Sequence, residues 1–241
     1  MLAIIGGSGL TAYPELHICE SVSRSTPYGE ASVAVQLGEL GGKPVAFLAR
    51  HGQPHRIPPH KVNYRANLYL LQSLGVTEII AVNAVGGIGE AYAAGVICVP
   101  DQIVDYTYGR EHTFSDSAAV PLLHCDFTEP YSEPLRQRLL AAARTLNEPI
   151  VENGVYAAVQ GPRLETAAEI RRLANDGCDL VGMTGMPEAG LARELALDYA
   201  CLAVVANKAA GCSDEPITIE QIHRVMDAAQ ARVRALIRAV V

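Results

Sequence analysis

The sequence lacks the features that mark membrane-spanning and secreted proteins. No apolar run approaches the roughly 20 residues that a bilayer-spanning helix needs, and tryptophan is absent. The first residues, Met1 to Gly7, carry no basic segment and run directly into a glycine turn, which is unlike a secretory signal peptide. We therefore expect a soluble, cytoplasmic protein with no membrane partner.

Positive charge is also scarce. The chain has 19 Lys and Arg residues against 26 Asp and Glu residues, which gives a formal net charge of −7. Nucleic-acid binding depends on cationic surfaces that neutralise phosphates, so this balance argues against a nucleic-acid partner. A small anionic ligand is not excluded, because charges more than about 8 Å away are largely screened at roughly 0.15 M salt.

Paired cysteine motifs are missing as well. None of the six cysteines belongs to a C-x-x-C pair, and most of them lie in apolar stretches. This pattern favours buried, reduced thiols over disulfides or metal ligands. The cysteines are Cys19, Cys98, Cys125, Cys178, Cys201 and Cys212.

Short apolar runs alternate with segments of helical periodicity along the chain. With 241 residues, 49% of them hydrophobic, the protein can bury one large core. Apolar runs without polar alternation predict strands covered on both faces. We expect a single α/β domain over residues 1–241, with a mixed central β-sheet flanked by helices. The predicted strands are Leu2–Ile5, Ser32–Leu37, Pro44–Ala49, Glu78–Ala84, Ile97–Val99, Val155–Val159, Asp179–Gly182 and Cys201–Ala206.

Capping signals locate the helices. Thr166 with Glu169 forms a capping-box pattern, and Thr218 with Gln221 forms another that opens the terminal helix. The predicted helices are Val62–Leu74, a segment opened by Ser132, a segment from Thr166 to Gly177, and the segment from Thr218 onward.

The first predicted strand runs into a glycine-rich loop, IIGGSGL at residues 4–10. Such a loop lets the backbone approach a ligand, and its N–H groups can converge on an anion. Gly7 and Gly9 also fit a dinucleotide-binding fingerprint loosely, and plain turn glycines are a third interpretation. Pro14 interrupts the expected helix of the fingerprint. We therefore prefer an anion-binding loop that includes the Ser8 hydroxyl.

A polar loop beginning at Arg50 follows the strand predicted to end at Ala49, on the usual ligand side of an α/β sheet. The arginine fork matches phosphate oxygens, and the adjacent His51 imidazole adds another donor. Together with His55 and His60, it forms a group of three histidines that could indicate zinc. Their spacings of 4 and 5, with no carboxylate or cysteine nearby, argue against a metal.

Four further segments follow predicted strands or precede helices. Each alone is compatible with turn or capping chemistry, and only their joint order carries weight. They are Asn83–Gly87, Gln160–Thr166, Val181–Glu188 and Val205–Ala209.

In this order, the segments resemble the trimeric purine nucleoside phosphorylase and methylthioadenosine phosphorylase family. The resemblance runs from Gly6 to the terminal helix and includes DQIVD at residues 101–105 and MTGMPE at residues 183–188. It implies that family's α/β fold and a homotrimer with active sites at subunit interfaces. It also implies inorganic phosphate as co-substrate, with no metal or organic cofactor.

In that family, phosphate attacks C1′ of a ribosyl ring and displaces the purine without a protein nucleophile. The transition state resembles an oxocarbenium ion, so the enzyme holds the anion in place and stabilises the leaving base. The resemblance assigns Met183 to the ribose and Ala84 to the substrate. It assigns phosphate to Ser8, Arg50, His51, Asn83, Ala84 and Thr184, and makes Ser8, Arg50, His51, Glu165 and Asn207 the catalytic set.

The base pocket distinguishes substrates within the family. Relatives that use 6-aminopurines have aspartates at the positions of Asn207 and Ala209, whereas Asn207 with Glu165 matches relatives that use 6-oxopurines. The asparagine amide can donate to O6 and accept from N7–H, and ionised Glu165 can accept from N1–H. With adenine, Glu165 would face a lone pair, and a buried unpaired polar group costs about 1–3 kcal/mol.

The 5′ end indicates a different preference. Relatives acting on ordinary nucleosides carry a histidine where this chain has Ile219, with Ile222 one turn on. Apolar residues favour a 5′-methylthio group over a 5′-hydroxyl by about 1–3 kcal/mol of binding free energy. We interpret His223 as a surface residue on another face. His124 matches a residue that reaches the neighbouring subunit's 5′ pocket.

Together these features predict phosphorolysis of S-methyl-5′-thioinosine to hypoxanthine and 5-methylthioribose 1-phosphate. S-methyl-5′-thioadenosine, then inosine or guanosine, are the alternative substrates. A nicotinamide-dependent oxidoreductase and a catalytically inactive nucleoside-binding module are alternatives from other classes.

Overall fold

The computed structural model describes residues 1–117 and 120–241 of the chain. Over these residues eleven β-strands form one mixed sheet, with five α-helices around it. The predicted α/β fold with a mixed central sheet is therefore confirmed. The strands are β1 (Leu2–Gly6), β2 (His17–Val22), β3 (Val35–Leu40), β4 (Lys43–Ala49), β5 (Glu78–Gly87), β6 (Ile97–Cys98), β7 (Gln102–Asp105), β8 (Ile150–Val151), β9 (Val155–Ala158), β10 (Leu180–Gly182) and β11 (Asp198–Lys208). The helices are α1 (Tyr64–Ser73), α2 (Glu133–Thr145), α3 (Ala167–Asn175), α4 (Gly185–Glu194) and α5 (Ile219–Val240).

The predicted strands are present, but some of their bounds differ. β1 is buried at every residue, as expected for a strand covered on both faces. The strand predicted from Ser32 begins at Val35. The turn predicted at residues 83–87 is wrong, because β5 continues to Gly87. The strand predicted to end at Ala206 likewise continues, as β11, to Lys208.

Three strands and one helix are not predicted by the sequence patterns. Five of the six residues of β2 are exposed, so this edge strand has no apolar face to detect. β8 has only two residues. α4 contains a non-helical residue, Met186, directly before Pro187. β7 is the remaining strand.

The helix caps agree with the predictions in most details. Thr166 and Glu169 form both hydrogen bonds of the capping box that begins α3. Thr218 accepts from the backbone N–H of Gln221, as expected at the start of α5. The Gln221 side chain meets the Thr218 hydroxyl at 3.2 Å, and no bond from it to the Thr218 backbone occurs among the described residues, so the second capping box is only half formed. α5 buries an apolar stripe against the sheet at Met226, Ala229, Val233, Leu236 and Val240.

β5 is the strand on which the sheet divides. Along one side it pairs with β11 over almost its whole length. Along the other side it pairs in parallel with β1 as far as Ala81, and then with antiparallel β10 from Gly86. Residues 82–85 therefore have no neighbouring strand on that side, and a gap opens between β1 and β10.

The cysteines are only partly buried. The three that lie in the core confirm the prediction of buried thiols, whereas Cys19 on edge strand β2 is exposed. In the described part of the chain, no helix is long and apolar enough to cross a membrane. The buried cysteines are Cys98, Cys178 and Cys201, and the half-buried ones are Cys125 and Cys212.

Candidate active site

A cavity of about 640 Å³ lies at the gap between β1 and β10. Loops that follow β1 and β4 reach it, as does the end of β11, because carboxyl ends of parallel strands meet at one edge of a sheet. β10 runs antiparallel to β5, so the loop after it reaches the gap from the opposite direction. Most of the predicted site residues line it, whereas Asn83 and His124 do not. The predicted residues that line the cavity are Ser8, Arg50, His51, Ala84, Glu165, Met183, Thr184, Asn207, Ala209, Ile219 and Ile222.

Arg50 is fully buried at one end of the cavity, where its guanidinium is held by Glu188. Nε and Nη2 donate to the two carboxylate oxygens at 2.9 and 3.0 Å, and Nη1 donates to the Val82 carbonyl at 3.0 Å. Nη2 also reaches the Ile5 carbonyl at 3.4 Å. Burial alone would lower the pKa of Arg50, but the Glu188 carboxylate raises it above its usual value.

This arrangement corrects the expectation of a free fork for phosphate. Four of the five N–H groups of Arg50 are engaged within the protein, and only one Nη1 hydrogen is left for a ligand. Arg50 still brings a fixed positive charge to the cavity. Glu188 lies in the segment Val181–Glu188 that the sequence indicates as part of the site, but no local pattern pairs it with Arg50, 138 residues away.

His51 lies beside Arg50 and is only 5% exposed. Its Nδ1 is 2.8 Å from the Ile57 carbonyl oxygen. A carbonyl can only accept, so Nδ1 carries the proton. Burial, together with the charge of Arg50, lowers the pKa of His51 to about 3. Its Nε2 therefore presents a lone pair, so the imidazole offers the cavity an acceptor where the sequence predicts a donor.

The histidine loop has no metal-site geometry. The rings of His51 and His55 are stacked, with centroids 4.4 Å apart and planes 4° apart. Stacked rings direct their nitrogens side by side rather than toward a common point. Over residues 1–117 and 120–241, no group of three or more His, Cys, Asp or Glu side chains could hold a metal ion.

Thr184 is buried beneath the cavity and accepts a hydrogen bond from Asn83 Nδ2 at 2.8 Å. Because the threonine oxygen accepts, its own hydrogen is free to be donated to a ligand. Thr184 also lies directly before α4. Asn83 lies behind Thr184 and orients its hydroxyl, and the Asn83 side chain does not line the cavity. The contact of Asn83 with phosphate stays a prediction.

Asn207 and Glu165, the two residues assigned to the base, both line the cavity. A β-bulge between Val205 and Asn207 interrupts the pairing with β5, and bulges re-aim the side chains next to them. Asn207 Nδ2 donates to the Lys208 carbonyl at 2.7 Å, which leaves one amide hydrogen and Oδ1 unused. Burial raises the pKa of the Glu165 carboxyl above its usual value.

A further part of the cavity lining lies on α5. Ile219 is 59% exposed, and Ile222 is half-buried. His223 is exposed, which confirms its interpretation as a surface residue, but it also lines the cavity, so its placement on another face is wrong. One turn of α5 brings all three side chains to the same opening. His124 is exposed and lies outside the lining.

Fold and cavity together define an α/β enzyme whose site combines anion-binding groups with a polar, purine-sized pocket. A sequence model of the phosphorylase superfamily matches residues 1–241, and the chain belongs to that family. It is thus a pentosyltransferase of the purine nucleoside phosphorylase type.

Individual relatives are similar over nearly the whole chain. A probable S-methyl-5′-thioinosine phosphorylase of Pseudomonas syringae pv. tomato is 54% identical over 97% of this chain and 95% of its own length. A 6-oxopurine nucleoside phosphorylase of Pyrococcus furiosus is 46% identical over 93% and 86%, respectively. The structure of methylthioadenosine phosphorylase from Schistosoma mansoni in complex with adenine superposes with a TM-score of 0.95 at 33% identity, covering 99% of this chain and 90% of that one.

Proposed function

We propose that the protein cleaves S-methyl-5′-thioinosine with inorganic phosphate, giving hypoxanthine and 5-methylthioribose 1-phosphate. The observation that carries this proposal is that a single cavity is lined both by Glu165 and Asn207 and by Ile219 and Ile222. A 6-oxopurine and a thioether need these two environments. Similarity to probable S-methyl-5′-thioinosine phosphorylases supports the same substrate.

The base selection rests on hydrogen-bond polarity. Because the Lys208 carbonyl takes one amide hydrogen of Asn207, the rest of the amide offers one donor and one acceptor. These suit O6 and N7–H of a departing 6-oxopurine. Ionised Glu165 then accepts from N1–H, and a site of this kind can reject an analogue of the wrong polarity by roughly 10⁴-fold.

Phosphate is proposed to bind where Ser8, His51 and Thr184 surround the charge of Arg50. The Thr184 hydroxyl and one Arg50 N–H donate to the anion, and the backbone near Ser8 and Ala84 adds further donors. His51 Nε2 accepts, so it suits a phosphate that still carries a proton. Met183 is proposed to pack beneath the ribose, close to the attacked carbon.

We propose that the protein works as a homotrimer in the cytoplasm with no cofactor besides phosphate. Leu122 and Leu123, directly before His124, are 72% and 51% exposed, as expected of a segment that another subunit covers. This supports the assignment of His124 to a neighbouring 5′ pocket. All six cysteines are free, which suits a reducing compartment.

Steady-state kcat/KM values for methylthioinosine, methylthioadenosine and inosine test the substrate. We expect methylthioinosine to be preferred and all turnover to require phosphate. A clear preference for methylthioadenosine would overturn the argument from Glu165 and Asn207. Oxidation or reduction of nicotinamide, without release of base, would place the protein in another class.

A 6-oxopurine nucleoside phosphorylase is the second candidate, and one observation favours it. His223 lines the cavity beside Ile219, where it can meet a 5′-hydroxyl. A preference for inosine over methylthioinosine would support this candidate while leaving the base assignment intact.

A further inference from the structure

A second buried arginine, Arg110, joins two of the loops that form the cavity. It is only 8% exposed, and the sequence analysis gave it no role. Nε donates to Gln160 Oε1 at 3.0 Å, and Nη2 donates to the carbonyls of Val159 and Gln160 at 3.1 and 2.8 Å. Nη1 donates to the carbonyls of Met183 and Met186 at 2.8 and 2.6 Å.

All five N–H groups of Arg110 are therefore used by two segments. Val159 and Gln160 follow β9, whereas Met183 and Met186 follow the adjacent parallel strand β10. No carboxylate of the described residues forms an ion pair with Arg110. Carbonyl oxygens compensate its buried charge, together with the Tyr64 hydroxyl at 3.5 Å and the Tyr64 ring, whose centroid is 5.8 Å from the guanidinium carbon. A buried cation without a carboxylate is costly, which makes a purely stabilising role a poor explanation.

The two joined segments carry different parts of the proposed site. The segment after β9 leads within a few residues to Glu165, assigned to the base. The segment after β10 contains Met183, assigned to the ribose. The segments also touch directly, since a side chain at Gly161 (φ +60°) would come within 2.4 Å of Met183 Sδ. Their separation thus depends on contacts made by Gly161 and Arg110.

We infer that Arg110 is a positioning residue that sets the distance between the base-binding Glu165 and the ribose-binding Met183. It acts through the main chain of both segments and does not line the cavity itself. A base alone needs only Glu165 and Asn207, whereas a nucleoside needs the base and ribose positions together. Loss of the guanidinium fork therefore lowers the turnover of nucleosides and leaves the binding of the free base unchanged.

Arg110→Lys tests this inference, because lysine keeps the charge but loses the planar five-donor fork. We expect kcat with the nucleoside to fall roughly 100-fold, as a misplacement of about 1 Å can cause. The Kd of hypoxanthine, measured by calorimetry, stays unchanged. Gln160→Ala removes only one acceptor of Arg110. We expect it to lower kcat with the nucleoside by less than Arg110→Lys does, and again to leave the Kd of hypoxanthine unchanged.

Arg136→Lys is the matched control. Arg136 is 4% exposed and likewise donates to main-chain carbonyls, those of Pro100 and Glu152 at 3.0 and 2.7 Å. These carbonyls belong to no cavity-lining residue. We expect this variant to lose thermal stability without a selective loss of nucleoside turnover.

Three results would overturn the inference. They are unchanged nucleoside turnover in Arg110→Lys, equal losses for nucleoside turnover and hypoxanthine binding, or kinetic losses in Arg136→Lys that match those of Arg110→Lys. The inference rests on the proposed function for the roles of Glu165 and Met183. If the wild type prefers another nucleoside, the proposed substrate is wrong, and turnover and base binding are compared with that nucleoside and its base.

Discussion

Two parts of the cavity lining are built in opposite ways. We call Arg50, His51 and Thr184 the floor, and these side chains are 0%, 5% and 6% exposed. We call Ile219, Ile222 and His223 the mouth, and they lie on the first turns of one helix, with Ile219 59% exposed. The floor is held by hydrogen bonds from strands β1 and β5, helix α4 and the Ile57 loop, whereas the mouth has none of these restraints.

This difference separates the chemistry of the reaction from the choice of its 5′ group. A site that must stabilise charge in a transition state benefits from groups fixed before the substrate arrives. A thioether pocket needs only apolar contact, which a neighbouring subunit can complete. One chain therefore supplies all residues of the floor. We propose that a neighbouring subunit supplies the remaining contacts of the mouth.

Glu188→Gln should have the largest effect, because it leaves the Arg50 charge buried without its partner. We expect the free energy of unfolding to fall by about 3–5 kcal/mol, measured by denaturant titration. Glu152→Gln, which removes the exposed pair with Arg144, should cost less than about 1 kcal/mol. Equal losses in the two variants would show that the floor is not preorganised by its ion pair.

Glu165→Gln should have the next largest effect, on activity rather than stability. Replacing a charged acceptor costs about 1.5–3 kcal/mol, so kcat/KM for methylthioinosine should fall roughly 10- to 100-fold. Glu215→Gln, an exposed change outside the cavity, serves as the control.

The same variant tests the raised pKa of Glu165. Since the carboxyl must be ionised to accept from N1–H, wild-type kcat/KM should fall on acidification at a pH above the usual glutamate range, and Glu165→Gln should lack this limb. The folded protein binds the Glu165 proton more tightly than the unfolded chain, so ionising it opposes folding as pH rises. Glu165→Gln should consequently be no less stable at pH 7, and marked destabilisation would contradict this sign.

The sequence predicts the floor's residues better than their roles. Strand ends and polar loops located Arg50, His51 and Thr184, because position along a parallel sheet follows from local patterns. The roles of Arg50 and His51 depend on Glu188, 138 residues away, and on the Ile57 carbonyl. Such long-range partners leave no mark in local periodicity.

The mouth shows a different limit of sequence analysis. Ile219 and Ile222 were correctly placed on one helix, but His223 was assigned to another face. The cavity opens over the first turn of α5, where adjacent residues can both line a wide opening. The helical period alone does not give the width of that opening, and neither does it show what a second chain contributes.

The mouth is tested by changing its two isoleucines separately. Ile222→Ser should reduce the ratio of kcat/KM for methylthioinosine to that for inosine roughly 10-fold, because a polar side chain favours the 5′-hydroxyl. Ile219→Ser should do the same only if a neighbouring subunit covers this exposed residue. An unchanged ratio in both variants would show that the 5′ group is selected elsewhere.

His51→Gln should have the smallest effect and tests the floor by pH. In the folded protein the pKa of His51 is lowered to about 3, whereas in the unfolded chain it is about 6.5. Acidification from pH 7 to about 5.5 therefore protonates this residue only in the unfolded chain, and wild-type stability should fall by about 1 kcal/mol. His51→Gln removes this contribution, so its Tm should vary less over the same range.

His55→Gln is the natural comparison for that measurement. Burial, then the charge of His223, lowers the pKa of His55 as well, but this ring is exposed and its contribution is weakened by solvent. The slope of Tm against pH should thus change more in His51→Gln than in His55→Gln. The reverse order would mean that the His51 ring is charged in the folded protein, and its Nε2 would then donate to phosphate rather than accept from it.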